Sequence, residues 1–115
     1  MNKGKFYEGE AVKFLKSKGY KILKRNFRSW FGEIDIIARD KQFTSFVEVK
    51  MRYYKAEYLP REAVDKKKRD KIRKTALFYS AKNPKGFFRF DVLEIIQKKD
   101  ILYYNLIKDA FNMDE

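Results

Sequence analysis

Apolar residues recur at two different periods along this chain, and the switches between the periods mark out its elements. Tyr7, Ala11, Phe14 and Leu15 fall at i, i+4, i+7 and i+8, the stripe of an amphipathic helix over residues 5–18. Lys16 and Lys18 occupy its last turn, where the helix dipole favours cations, and Gly19 suits the exit from the helix. Three runs rich in β-branched and aromatic residues follow, over 20–28, 33–39 and 44–52, and they predict strands. Ser29 to Gly32 separates the first two, and Asp40-Lys41-Gln42 separates the last two. Beyond Pro60 the helical period returns. Asp65 suits an N-cap for a helix to about residue 82, with Ile72, Ala76, Leu77 and Ser80 on its inner face. Asn83-Pro84-Lys85-Gly86 stops that helix, and 87–97 and 101–107 predict two more strands around Lys98-Lys99-Asp100.

The order α-β-β-β-α-β-β predicts an α/β fold, a mixed sheet flanked by its helices, in one domain spanning 1–115. The link from the third strand through the second helix to the fourth is long enough for a parallel crossover.

Composition narrows the chemistry. The chain of 115 residues has 28 Lys and Arg against 16 Asp and Glu, a net charge of +12. Such a surplus points to a polyanionic partner, nucleic acid before an anionic membrane surface. There is no Cys and no His, which removes thiol nucleophiles, the usual general base and the commonest zinc ligands. Catalysis would have to rest on carboxylates, amines and hydroxyls, or on a hard metal held by oxygen. No run of apolar residues is long enough to span a membrane, and the first residues do not read as a signal peptide. The expected location is the cytoplasm, and nothing in the pattern calls for a small-molecule cofactor.

One constellation stands out. In Glu33-Ile34-Asp35-Ile36-Ile37, period two puts Ile34 and Ile36 on one face and Asp35 on the other. In Phe46-Val47-Glu48-Val49-Lys50, Glu48 and Lys50 share a face. A hairpin centred on Lys41 and Gln42 sets Asp35 across from Glu48, with Cβ atoms about 5 Å apart. Two carboxylates so close need a proton or a cation between them. A hard ion such as Mg²⁺ or Mn²⁺ satisfies them, with the Val49 carbonyl as a further oxygen and Lys50 beside the reacting phosphate. The plainer reading is a solvated strand face on which Lys50 pairs with Glu48 or Asp35. Glu8 and Glu10 border the buried stripe of the first helix, and either is placed to add a third acid.

The second helix carries Lys66, Lys67, Lys68, Arg69, Lys71, Arg73 and Lys74, a density suited to tracking phosphates and also met on ordinary solvated helix faces. Tyr53, Tyr54 and Tyr58 precede it, placed either to stack on unpaired bases or to pack their loop against the body.

Taken together, Gly32-Glu33-Ile34-Asp35 and Phe46-Val47-Glu48-Val49-Lys50 with Arg52 resemble the YraN-like family of small bacterial proteins. That family is similar to Holliday-junction resolvase-type nucleases of the restriction-endonuclease-like superfamily. Gly4, Glu8, Ala11, Phe14-Leu15 and Gly19 match its first helix, and Arg25-Asn26 and Arg28 its first strand. Glu62-Ala63-Val64, Lys68, Arg89-Phe90-Asp91-Val92 and Asp109-Ala110-Phe111 follow in order. The resemblance implies a restriction-endonuclease-like core in which Asp35 and Glu48 bind the metal and Lys50 acts in catalysis. It favours Glu8 over Glu10 as the helix-borne acid and places Lys68 where the family carries a basic residue; with the charge of the second helix, the expected nucleic-acid contacts are Arg28, Arg52, Lys67, Lys68 and Lys71. The implied activity is Mg²⁺-dependent hydrolysis of phosphodiester bonds in branched or structured DNA, leaving a 5′ phosphate and a 3′ hydroxyl. Resolvase relatives act as symmetric dimers, which suits two cuts on a four-way junction. Ile34 stands where the superfamily has a proline. The rival expectation is a non-catalytic nucleic-acid-binding module that keeps the nuclease fold.

Overall fold

A computed structural model describes residues 2–54 and 65–113. Its elements are α1 (Lys3–Ser17), β1 (Lys21–Arg28), β2 (Glu33–Asp40), β3 (Phe43–Tyr53), α2 (Lys66–Lys82), β4 (Phe87–Lys98) and β5 (Ile101–Phe111). The expected order α-β-β-β-α-β-β is the observed one. The five strands form one sheet in the order β1-β2-β3-β4-β5. Only β3 and β4 run parallel, joined through α2, so the sheet is mixed as its connections predict.

The helices start where capping chemistry puts them. The Asn2 side chain accepts from the Lys5 amide at 2.8 Å, and Asp65 accepts from the Lys68 amide at 2.9 Å. Each helix then covers one face of the sheet. Tyr7, Ala11, Val12 and Leu15 of α1 pack on Ile36, Ala38, Val47, Leu93 and Ile95. Ile72, Ala76 and Tyr79 of α2 pack on Ile37, Phe46, Phe90 and Val92, the residues that alternate with the first set.

Two expectations fail in packing. Leu77 is half exposed, and the inner face of α2 is Ile72, Thr75, Ala76 and Tyr79. Leu77 lies five residues after Ile72, well round the helix from a stripe at i, i+3, i+4 and i+7. Ile34 does not share a cluster with Ile36; it joins the α2-side cluster. The β2–β3 ladder runs from Asp40↔Phe43 only to Ile36↔Val47, so Ile34 lies past its end.

Two glycines let the layers close. A Cβ on Gly32 would sit 3.2 Å from the Lys71 Cβ, so β2 enters the sheet tight against α2. Gly86 has φ 70°, and a Cβ there would meet the Gln42 carbonyl oxygen at 2.4 Å. That contact, with the Phe87 amide donating to Gln42 O at 3.1 Å, sets β4 in register on β3.

Candidate active site

The β2–β3 hairpin turns through Lys41 and Gln42, with Lys41 at φ 57° and Asp40 facing Phe43. Continuing its register brings Asp35 opposite Glu48, the position the spacing predicts. The ladder stops one pair short of them. In place of the missing ladder bond, the Val49 amide donates to Asp35 Oδ2 at 2.8 Å. The two strands thus part at the acids. The N–H and C=O of a strand residue point to the same edge, so the Val49 carbonyl also faces β2, beyond the last ladder pair.

Glu48 is 5% exposed, and its Oε2 has no hydrogen-bond partner. Its other oxygen lies 3.4 Å from Lys68 Nζ. Burial and then the neighbouring Asp35 push the Glu48 carboxyl up to about 8, against the opposing pull of Lys68. A buried carboxyl short of partners costs free energy unless it holds a proton or a cation. Both acids open onto a cleft of about 510 Å³, walled on the far side by Lys67, Lys68, Lys71 and Ile72 of α2. The cleft therefore has an acidic floor and a basic wall.

The donor set suits a hard divalent ion: two carboxylates, one with an orphaned buried oxygen, and a strand carbonyl beside them. Asp35, Glu48 and Val49 are the residues that would hold it.

The remaining candidates separate. Lys50 shares the face of Phe46 and Glu48 and is half buried; the ion pair to Glu48 comes from Lys68 instead. Glu8 does not join the acids. Its carboxylate accepts from Arg25 at 2.9 Å and Asn26 at 2.8 Å, in a different cavity between α1 and β1. Among the described residues no group of three acids is placed to share a metal. Glu10 lines that second cavity too, 3.9 Å from Lys13. Lys67 and Lys71 line the cleft. Arg28 is largely exposed and 3.5 Å from Glu33. Arg52 is engaged inside the protein, donating to the buried Glu94 at 3.0 Å. Tyr53 and Tyr54 are half exposed, each with a lysine ammonium over its ring, Lys3 and Lys98 respectively. Tyr58 and Glu62-Ala63-Val64 lie outside the described residues.

One residue escaped the sequence reading. Trp30, at the tip of the β1–β2 hairpin, is 95% exposed beside the cleft residues Gly32 and Glu33. Its signal was the chain's one tryptophan, set in the turn Ser29-Trp30-Phe31-Gly32 after Arg28.

No described helix is long and apolar enough to cross a membrane. Residues 7–95 match the family described as "Uncharacterised protein family UPF0102". A UPF0102 protein of Clostridium botulinum strain Hall is 48% identical over 115 residues, covering 96% of this chain and 94% of that relative. One from Clostridium acetobutylicum is 44% identical over 114 residues, covering 96% and 93%. With the match running through both the acid-bearing hairpin and α2, the chain belongs to the UPF0102, or YraN-like, family.

Proposed function

We propose that this protein is a metal-dependent endonuclease that hydrolyses phosphodiester bonds in branched or structured DNA. The observation that carries the reading is Glu48: a buried carboxyl with an unpartnered oxygen, facing Asp35 where two strands part, in a cleft walled by lysines. A structural acid in the same sheet would have its lone pairs filled. The restriction-endonuclease-like resemblance of the hairpin motif supports the same reading.

Lys67 and Lys71 attract and position the DNA backbone, since each offers a cation to a phosphate oxygen. Asp35, steadied by the Val49 amide, and Glu48 would hold a Mg²⁺ or Mn²⁺ ion, which would supply Lewis-acid polarisation of the phosphodiester and a more acidic water. Lys50, two residues beyond Glu48 on the same face, stabilises the negative charge that grows on the phosphorus oxygens. Lys68, with its ammonium 3.4 Å from Glu48, adds a third cation to the wall that faces the phosphate.

The test is incubation of pure protein with linear, flapped and four-way DNA in Mg²⁺, Mn²⁺ or chelator. Cleavage in the metals alone, lost in Glu48→Ala and Lys50→Ala while both still melt as folded domains, is the expected result. In chelator above about pH 8, where Glu48 is ionised, Glu48→Ala should bind DNA equally or more tightly, because a charge facing phosphate has gone, whereas Lys50→Ala should bind equally or somewhat less. Wild-type-like cutting by Glu48→Ala would overturn the mechanism. Titration calorimetry checks the metal independently, and the heat of binding should vanish in Glu48→Ala.

A further inference from the structure

The β1–β2 tip is a built turn carrying a bare aromatic ring. The Ser29 amide donates to the Gly32 carbonyl at 2.8 Å, and the Phe31 amide donates to Ser29 Oγ at 3.0 Å. Ser29 Oγ lies 3.0 Å from Thr75 Oγ1, which in turn donates to the Lys71 carbonyl at 2.9 Å. The turn is thus tied to α2, and Gly32 packs against the same helix turn. Every polar group in this chain of contacts serves to fix the backbone, yet the side chain it presents, Trp30, touches almost nothing and is 95% exposed. Phe31 beside it is 44% exposed, and Arg28 at the base of the hairpin is largely in solvent. An indole left in water on a fixed turn gains nothing for the fold. A fixed turn does, however, pre-set its direction for a partner.

We infer that Trp30 is a stacking residue that takes an unpaired or unstacked nucleobase at the branch point of the DNA. The occupant follows from the surroundings. Gly32 and Glu33 carry the hairpin directly into the cleft with Asp35 and Glu48, and Lys67 and Lys71 form its opposite wall. A strand whose backbone lies along those lysines brings its bases past the hairpin tip, where an aromatic face and the nearby guanidinium of Arg28 meet them. Paired bases in a continuous duplex have no free face to offer, so Trp30 contributes only where stacking is interrupted. The residue therefore sets preference for branched over continuous DNA. This rests on the nuclease reading and names the feature of the substrate that the site recognises.

Trp30 is the sole tryptophan of the chain, so its emission reports this position alone. A duplex capped at both ends by base-free hexaethylene glycol linkers and the same duplex opened into a fork, both fluorescein-labelled, are titrated with protein in Ca²⁺. Anisotropy of the label follows binding and indole emission follows stacking. Forked DNA should quench the indole and shield it from acrylamide, and capped duplex should bind without doing either. Trp30→Ala should weaken fork binding by roughly 5- to 150-fold, the range of one base–aromatic stack, and leave the capped duplex within about 2-fold. Trp30→Phe should recover most of the fork affinity. Fork binding with unchanged emission, or equal losses on both DNAs, overturns the inference and leaves the nuclease reading standing. No change of anisotropy with both DNAs overturns the nuclease reading, and the inference with it.

Discussion

Two groups of acids on the two faces of the sheet are built on opposite principles. On the α1 side, Asp91 is fully buried and accepts from Tyr20, Ser45, Arg89 and the Asp109 amide. Asp40 closes the set by accepting from Arg89 at 2.8 Å and Lys108 at 3.1 Å. Burial alone would raise Asp40, but the bonds from Arg89 and Lys108 outweigh it and hold its carboxyl below the usual range. Glu48, on the α2 side, is nearly as buried, yet burial and Asp35 drive it the other way, up to about 8. The difference is one of counting donors. Asp91 has its lone pairs filled by the protein, whereas Glu48 has one oxygen filled by nothing. A satisfied network fixes structure; a buried carboxyl short of donors at a cleft marks a candidate functional site.

Breaking the satisfied set should have the larger effect on stability. Asp91→Ala strips Arg89 of one partner and leaves the Tyr20 and Ser45 hydroxyls and the Asp109 amide short of theirs. A loss of about 3–5 kcal/mol is expected, because the guanidinium and several polar groups stay buried without compensation. Urea unfolding of the variant measures it. A loss under about 1 kcal/mol would mean that the network relaxes to water and that the contrast with Glu48 is smaller than it looks.

Glu48→Gln should do the reverse in chelator. The folded carboxyl titrates near 8 and the unfolded one near 4.5. Below the lower value both states hold the proton and no penalty arises. Between the two, the folded state keeps a proton that the unfolded chain has released, so stability falls as pH rises and levels off above about 8. Glutamine removes the charge at every pH. The variant should therefore be more stable than the parent at pH 8 by on the order of 2–3 kcal/mol and nearly equal to it at pH 5. Mg²⁺ should raise the melting temperature of the parent more at the higher pH and leave the variant unmoved. Parallel pH profiles for the two proteins would show that Glu48 is ionised at little cost, and the contrast would fail.

Legibility in sequence followed how local each feature is. The opposition of Asp35 and Glu48 was readable because a two-residue hairpin fixes every later pair by arithmetic. The α1 stripe and the element order were readable from period alone. The closed network was not, because Ser45 and Arg89 become neighbours only through the parallel β3–β4 crossover. Likewise Glu8 borders the α1 stripe, but its partners Arg25 and Asn26 come from β1 and depend on how the helix lies across that strand. Lys68 replaced Lys50 as the partner of Glu48 for the same reason: α2 folds over a face that strand alternation describes only within the sheet. Trp30 was visible as a residue type, and only its exposure on a tied-down turn makes it informative.

The smallest effect concerns the basic wall, and it tests whether Glu48 engages its lysine in solution. Each lysine that neutralises a phosphate releases counterions, so losing one should flatten the plot of log affinity against log salt by about 0.9. Lys67→Gln and Lys71→Gln should each show that change. Lys68 differs because its ammonium already sits 3.4 Å from Glu48. In chelator at pH 9, above the point where Glu48 releases its proton, Lys68→Gln should flatten the slope by clearly less than the other two, since the ionised Glu48 spends part of its charge inside the protein. Adding Glu48→Gln to a protein that keeps Lys68 frees that ammonium, and the slope should then steepen relative to the parent. Anisotropy titrations of labelled DNA over a salt series measure all four proteins. Equal flattening by the three lysine variants would show that the Lys68–Glu48 pair does not hold in solution, leaving Glu48 with both oxygens to fill.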